Sequence, residues 1–347
     1  MSFSQYDLFS ISKARNVLFG LAIVCIMFFH LSLKISPSLY IFSRIKEIGE
    51  IGVDIFLFLS GIGLYFSFVA DENILSFYKK RFKRILTAYI PVALFWFAAT
   101  DIYIEHDFKG FIKDFSLVSF WTDGERISWF IALILLLYII YPLIYTLFKH
   151  NSTRRFIYLL TGVILISLWI IYNTIYFENP VRTYWIELLI PRIPIFLFGC
   201  WIGPKVRNHE MLNINVVYFS AIASIIFFIL LVTQVSFLSH LVFRHYLYCP
   251  LVICACIAIS FLYNQTKKGV ITKTLLWLGV YTLEIYLLHE KIIMVFKWLL
   301  PEFDPYNISI NAISIIATLP SVVIYKRSYE FIFSAIATYF TDRKSVV

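Results

Sequence analysis

Seven ionisable side chains interrupt runs that are otherwise apolar: His30, Asp54, Glu187, Arg192, Glu284, His289 and Glu290. A charge in hydrocarbon is costly, so such groups usually face a bundle interior or a water-filled cavity, and each is a candidate for function. His30 and Asp54 are the types that suit proton transfer. A carboxylate beside an imidazole fixes its tautomer and stabilises its protonated form, which fits a general base acting on a hydroxyl. The structural alternative has His30 capping a helix at the membrane interface and Asp54 satisfying some other polar group.

A second chemistry is written in "FYKKRFKRILTAYIP", where five cations fall within six positions, 79 to 84. Arg81 and Arg84 are three residues apart and project from neighbouring positions on one helical face. Two guanidiniums so placed can hold phosphate by bidentate hydrogen bonds, which lysines cannot do. A nucleotide-bearing cofactor is one reading; a positive-inside signal that also attracts anionic lipid headgroups is the other.

Further along, "ELLIPRIPIFLFG" sets Arg192 between Pro191 and Pro194, which should break backbone hydrogen bonds and kink the helix. Glu187 or Glu284 is the expected counter-ion. In "LGVYTLEIYLLHEKII", Glu284 sits deep, with His289 and Glu290 nearer the other end. Glu284 has no local partner except His289, which is off its face.

The elements that must carry these residues are membrane helices. The chain has 347 residues, 60% hydrophobic and 15% charged, against about 25% charged in a soluble domain. Ten segments are long and apolar enough to cross a bilayer: 17–33, 47–69, 85–104, 127–148, 156–176, 183–203, 215–234, 244–263, 275–299 and 307–326. The expected fold is all-α and polytopic, one transmembrane domain over 1–347. Of the thirty Lys and Arg, nineteen fall in loops on the side of the N-terminus and eight in the others. Both termini are therefore expected to be cytoplasmic.

The first helix then runs outward, which puts His30 about 22 Å from Arg15 along the axis. The second runs inward, so Asp54 also lies in the outer half and could meet His30. Gly49, Gly52, Gly61 and Gly63 would let helices approach closely. The longest outer loop, roughly 105 to 126, could cover a site on that face. The net charge of +9 does not imply nucleic acid, because the cations lie in short segments between apolar runs. Five cysteines in apolar surroundings, without metal-type spacing, read as packing, and no metal is expected.

Four stretches in order carry a resemblance: a first helix ending in "FFH", then "GVDIFLFLSG", "FYKKRFKRILTAYIP" and "SWFIALILLLYIIYP", followed by a late "YTLEIYLLH". The chain resembles the acyltransferase-3 family of bacterial membrane acyltransferases over nearly its whole length. That resemblance implies transfer of an acyl group, usually acetyl from acetyl-CoA, from a cytoplasmic acyl-CoA to a hydroxyl of a surface polysaccharide or its lipid-linked precursor. It implies a place in the bacterial cytoplasmic membrane, among membrane lipids. His30 matches the family's essential histidine and Asp54 an acidic position of the second-helix motif; these are the expected catalytic pair. Arg81 and Arg84 match paired arginines that engage the donor, and His289 matches a frequent late histidine.

One departure stands out. The family commonly has an arginine eleven residues before the histidine, where this chain has Phe19; Arg15 lies one turn earlier, about 40° away around the helix. Arg15 is therefore the expected third donor-binding residue, while Ser60, Trp129, Arg192, Glu284 and His289 are expected in substrate-facing or structural polar roles. The alternative class is a transporter or flippase for an envelope glycan precursor, which would move substrate without consuming acyl-CoA. A glycan polymerase would be expected to place a large loop outside, and the loops here are short.

Overall fold

In a bilayer the backbone must satisfy its own hydrogen bonds, and a chain of long apolar runs does so as helices. The computed structural model describes residues 5–31, 39–149, 152–176, 188–233, 241–300 and 308–344. Apart from one pair of short strands these residues are helices, turns and connections, and each of the ten expected apolar segments holds a helix. Seven helical stretches are long and apolar enough to cross a membrane: Tyr40–Ala70, Ile74–Ile104, Trp129–Phe148, Thr153–Tyr172, Asn215–Thr233, Arg244–Gln265 and Ser309–Ala335. Among the described residues, length and composition thus give seven crossings, or eight if one bent pair counts. The other two segments are the shorter helices Arg15–His30 and Ile193–Arg207.

The bent pair corrects the reading of 275–299 as one continuous span. Val270–Val280 and Thr282–Leu299 meet at 84°. At the corner the Thr282 hydroxyl donates to the Gly279 carbonyl at 2.9 Å.

The short Arg15–His30 helix is the centre of the bundle, packed between Val270–Val280 and Ile51–Ala70. Its crossing with Val270–Val280 depends on two glycines. A Cβ on Gly20 would stand 2.0 Å from the Leu275 carbonyl oxygen, and one on Gly279 would stand 1.9 Å from that of Asn16. The second-helix glycines do what small residues do at membrane crossings: Gly52 faces the Ala22 backbone and Gly61 the Phe196 backbone.

Two features hold the ends of the bundle. Gln5–Asp7 pairs antiparallel with Met211–Asn213, Tyr6 opposite Leu212, which ties the start of the chain to the segment after Ile193–Arg207. Three-residue strands carry too little alternation to be legible in sequence. At the other end, the loop over 105 to 126 folds into the helices Phe108–Phe115 and Val118–Thr122. It is fastened by the Tyr89 hydroxyl, which donates to the Phe115 carbonyl at 3.1 Å, and by an ion pair of Lys113 with Asp123 at 2.8 Å.

Candidate functional site

Arg15 begins the central helix, and Arg81 and Arg84 sit one turn apart on Ile74–Phe97. All three line one cavity, together with Phe19, Phe56, Ser60, Phe130, Tyr138 and Tyr286. Arg15 and Arg81 converge on Gly63: the Arg81 guanidinium reaches the Gly63 carbonyl at 3.5 Å, and a Cβ at Gly63 would stand 2.7 Å from Arg15 Nη2. The Arg15 guanidinium lies over the Phe19 ring, 5.0 Å from its centroid. The position that carries phenylalanine instead of the expected arginine thus supports the arginine one turn away.

Among the described residues no carboxylate lines this cavity, and Arg15 Nε and Arg81 Nε are buried without a hydrogen-bond partner. Buried cations are stable only when something compensates them. Two partly buried guanidiniums and the exposed one of Arg84, with no acid among the described lining residues, therefore suit an anion.

A larger cavity of about 780 Å³ adjoins it, sharing Arg84, Thr282 and Leu283, and adds Lys80, Lys83 and Lys326. Thr282 and Leu283 are the first residues after the 84° corner, so the bend forms the wall between the two spaces. Glu284 also lines the larger cavity. It accepts from the Tyr329 hydroxyl at 2.6 Å and pairs with Lys326 Nζ at 3.4 Å. This corrects its reading as a residue with no partner but His289, because Tyr329 and Lys326 lie on a helix that sequence proximity could not bring to it.

His30, the last residue of the central helix, opens on a third cavity of about 230 Å³, with Glu50, Arg126, Trp129, Arg192, Tyr286 and Glu290 among its lining residues. His30 Nδ1 is 2.5 Å from a Glu290 carboxylate oxygen and 3.3 Å from His289 Nε2. His289 Nδ1 in turn faces the Ile285 and Tyr286 carbonyls at 2.8 and 3.0 Å. A carbonyl can only accept, so Nδ1 carries the proton and Nε2 presents its lone pair to His30. The hydrogen on His30 therefore belongs on Nδ1, between a carboxylate and a lone pair, and His30 Nε2 is left as a base.

The expected pairing of His30 with Asp54 is corrected by this geometry. Asp54 is fully buried, its Oδ2 3.5 Å from Arg192 Nε and 4.0 Å from His245 Nδ1. Arg192 also donates to Glu50 at 3.0 Å and to the Leu188 carbonyl at 2.8 Å. That carbonyl is available because Pro191 and Pro194 interrupt the helix there, as a short 3₁₀ turn over Ile190–Arg192. Glu50 additionally accepts from Arg244 and from the Tyr248 hydroxyl, the latter at 3.0 Å. The counter-ions of Arg192 are thus Glu50 and Asp54, not Glu284; Glu187 lies outside the described residues. The guanidinium sits 5.1 Å from the centroid of the Trp129 ring, at the wall of the His30 cavity.

Sequence reasoning missed Glu50, Arg244 and Tyr248. Only Glu50 left a signal, four residues before Asp54 and so on the same helical face. Tyr286, which lines both the arginine cavity and the His30 cavity, also gave none.

A family model described as an acyltransferase domain matches residues 16–327. The acyltransferase MdmB of Streptomyces mycarofaciens is 24% identical over 176 residues, covering 46% of this chain and 44% of that protein. The chain thus matches less than half the length of this relative. No solved structure matches the chain.

Proposed function

The chain belongs to the acyltransferase-3 family, and from that premise we propose that it is a membrane O-acyltransferase using a cytoplasmic acyl-CoA, acetyl-CoA foremost, to acylate a hydroxyl of a cell-surface polysaccharide or its lipid-linked precursor. The observation that carries this reading is the cavity of Arg15, Arg81 and Arg84, with no acid among its described lining residues, set against the cavity of His30 with Tyr286 lining both. The guanidiniums, with Lys80, Lys83 and Lys326 in the adjoining space, suit the phosphates of the donor's nucleotide end. The aromatic lining of Phe19, Phe56, Phe130 and Tyr286 suits the uncharged arm that carries the thioester.

His30 Nε2 would take the proton of the acceptor hydroxyl as its oxygen attacks the thioester carbonyl. The carbon–sulfur bond then breaks, and the proton passes from Nε2 to the departing thiolate. Glu290 stabilises the imidazolium formed between these events, and His289 holds the ring in register. Trp129, with Arg192 behind it, offers an aromatic wall on which a sugar ring can rest.

Purified protein in liposomes, given radiolabelled acetyl-CoA and envelope glycan, is the test. General-base assistance is worth about 10²–10⁴-fold, so His30→Ala should lose at least that much transfer while still inserting in the membrane. Substantial residual transfer in that variant sinks the assignment. Replacing Arg81 and Arg84 by Lys keeps the charge but removes bidentate recognition; unchanged donor affinity would favour the lipid-headgroup reading. A glycan transporter would use the same cavities as a path, and would move glycan while leaving acyl-CoA unspent.

A further inference from the structure

His30, His289 and Glu290 bring three ligand-capable groups together, their ligand atoms all within 4.8 Å of one another. His289 already has the arrangement of a metal-bound histidine. Its Nδ1–H is held by the Ile285 and Tyr286 carbonyls, and this outer bond fixes the Nε2 lone pair in one direction. That lone pair ends 3.3 Å from His30 Nδ1. Two nitrogens bound to one tetrahedral zinc at about 2.0–2.1 Å stand roughly 3.3–3.4 Å apart, so the ring positions suit a shared ion. Glu290 supplies the anionic third ligand once its carboxylate, hydrogen-bonded to His30 Nδ1 at 2.5 Å, draws back to the roughly 3.3 Å that two ligands of one zinc keep. The cavity in front of His30 leaves room for a fourth ligand, a water.

We propose that His30, His289 and Glu290 form a site for a borderline-soft divalent cation, zinc fitting best, and that occupancy switches off His30. Two imidazoles discriminate against magnesium and calcium, which prefer all-oxygen shells. Coordination through Nδ1 displaces the proton that His30 carries there. In the neutral ring the only other position for it is Nε2, so the proton moves from Nδ1 to Nε2 by way of cavity water, with no net release. His30 Nε2 is then a donor and cannot accept the proton of an acceptor hydroxyl. The inhibitory consequence rests on the proposed role of His30; the binding of zinc does not.

The test uses the full chain in detergent after chelator treatment, titrated with zinc alone against a zinc-responsive dye, then repeated with excess magnesium. Expected is one zinc per chain, undisturbed by magnesium. Affinity should fall about tenfold or more in His289→Gln and in Glu290→Gln. His209→Gln, which removes the exposed histidine–carboxylate pair of His209 with Asp7, should leave it unchanged. Cobalt in place of zinc should give the strong visible bands of a tetrahedral ion in the wild type and lose them in His289→Gln. Unfolding temperatures of the variants show whether lost binding reflects lost fold. No stoichiometric zinc, or zinc held equally by folded His289→Gln and Glu290→Gln, overturns the site. Zinc bound at the site with undiminished transfer overturns the switch. Lack of transfer in metal-free protein is instead a failure of the functional reading and leaves the titration to decide the site.

Discussion

At the scale of single residues, the structure gives Glu290 the place beside His30 that the sequence reading had given to Asp54. Glu290 touches the histidine; Asp54 touches Arg192. Their variants should therefore fail differently. Glu290→Gln should fold normally and lose transfer mainly in kcat, because the imidazolium loses its counter-charge. Arg192→Met should instead be destabilised by about 3–5 kcal/mol, the cost of leaving a buried charge unpaired. Glu50 keeps Arg244 and Tyr248, whereas Asp54 keeps only His245 at 4.0 Å among its described ion-pair neighbours and bears the loss in that variant. Adding Asp54→Asn should recover part of the loss, and denaturant unfolding of the two single variants and the double variant measures it. If the double variant is no more stable than Arg192→Met, the pairing is wrong. His30 was legible because a costly residue type in an apolar run marks itself, and Arg81 and Arg84 because two arginines three apart in a cationic cluster share a helical face. Glu50 and Arg244 were not, since each lies where a span and a loop meet and their contact spans 194 positions.

Elements set the distance between these residues. The sixteen residues of the Arg15–His30 helix separate its arginine from its histidine by about 22 Å. The corner at Tyr281 then lets one segment wall the two arginine-lined cavities at its start and hold His30 at Glu290. That corner was illegible because no proline or charge interrupts 275 to 283 beyond what an ordinary span carries, whereas Pro191 and Pro194 announced theirs. Gly279→Val should abolish folded protein, read as loss of a monodisperse peak, since its Cβ has no space against Asn16.

The helix Phe108–Phe115 gives a pH-dependent check outside the spans. Burial, and then the nearby charge of Asp101 and Glu125, pushes Asp114 up to about 6. A carboxyl raised above its unfolded value of about 3.9 favours the folded state fully below that pH. The contribution is lost as pH rises through about 6. Unfolding temperature should therefore rise between pH 7 and pH 5 by more in the wild type than in Asp114→Asn. Equal slopes would contradict the buried setting of Asp114.

For the molecule as a whole, ten apolar segments gave the class of fold, but hydropathy cannot see a bend such as the 84° corner or tell the short central helix from a longer one. The larger arrangement is a row of neighbouring cavities: one lined by Lys80, Lys83 and Lys326, the arginine cavity, and the His30 cavity, with Tyr286 lining the last two. The central claim is that donor and acceptor meet there, across His30. It is tested most directly by a single turnover in liposomes, in which acetyl-CoA is supplied on the side of Arg81 and Arg84 and glycan on the side of His30, and released thiol is compared with acetylated glycan. Expected is one thiol per acetyl group in the wild type, and bound but unspent acetyl-CoA in His30→Ala. Equal transfer by His30→Ala, or glycan crossing the membrane with no thiol released, would contradict it.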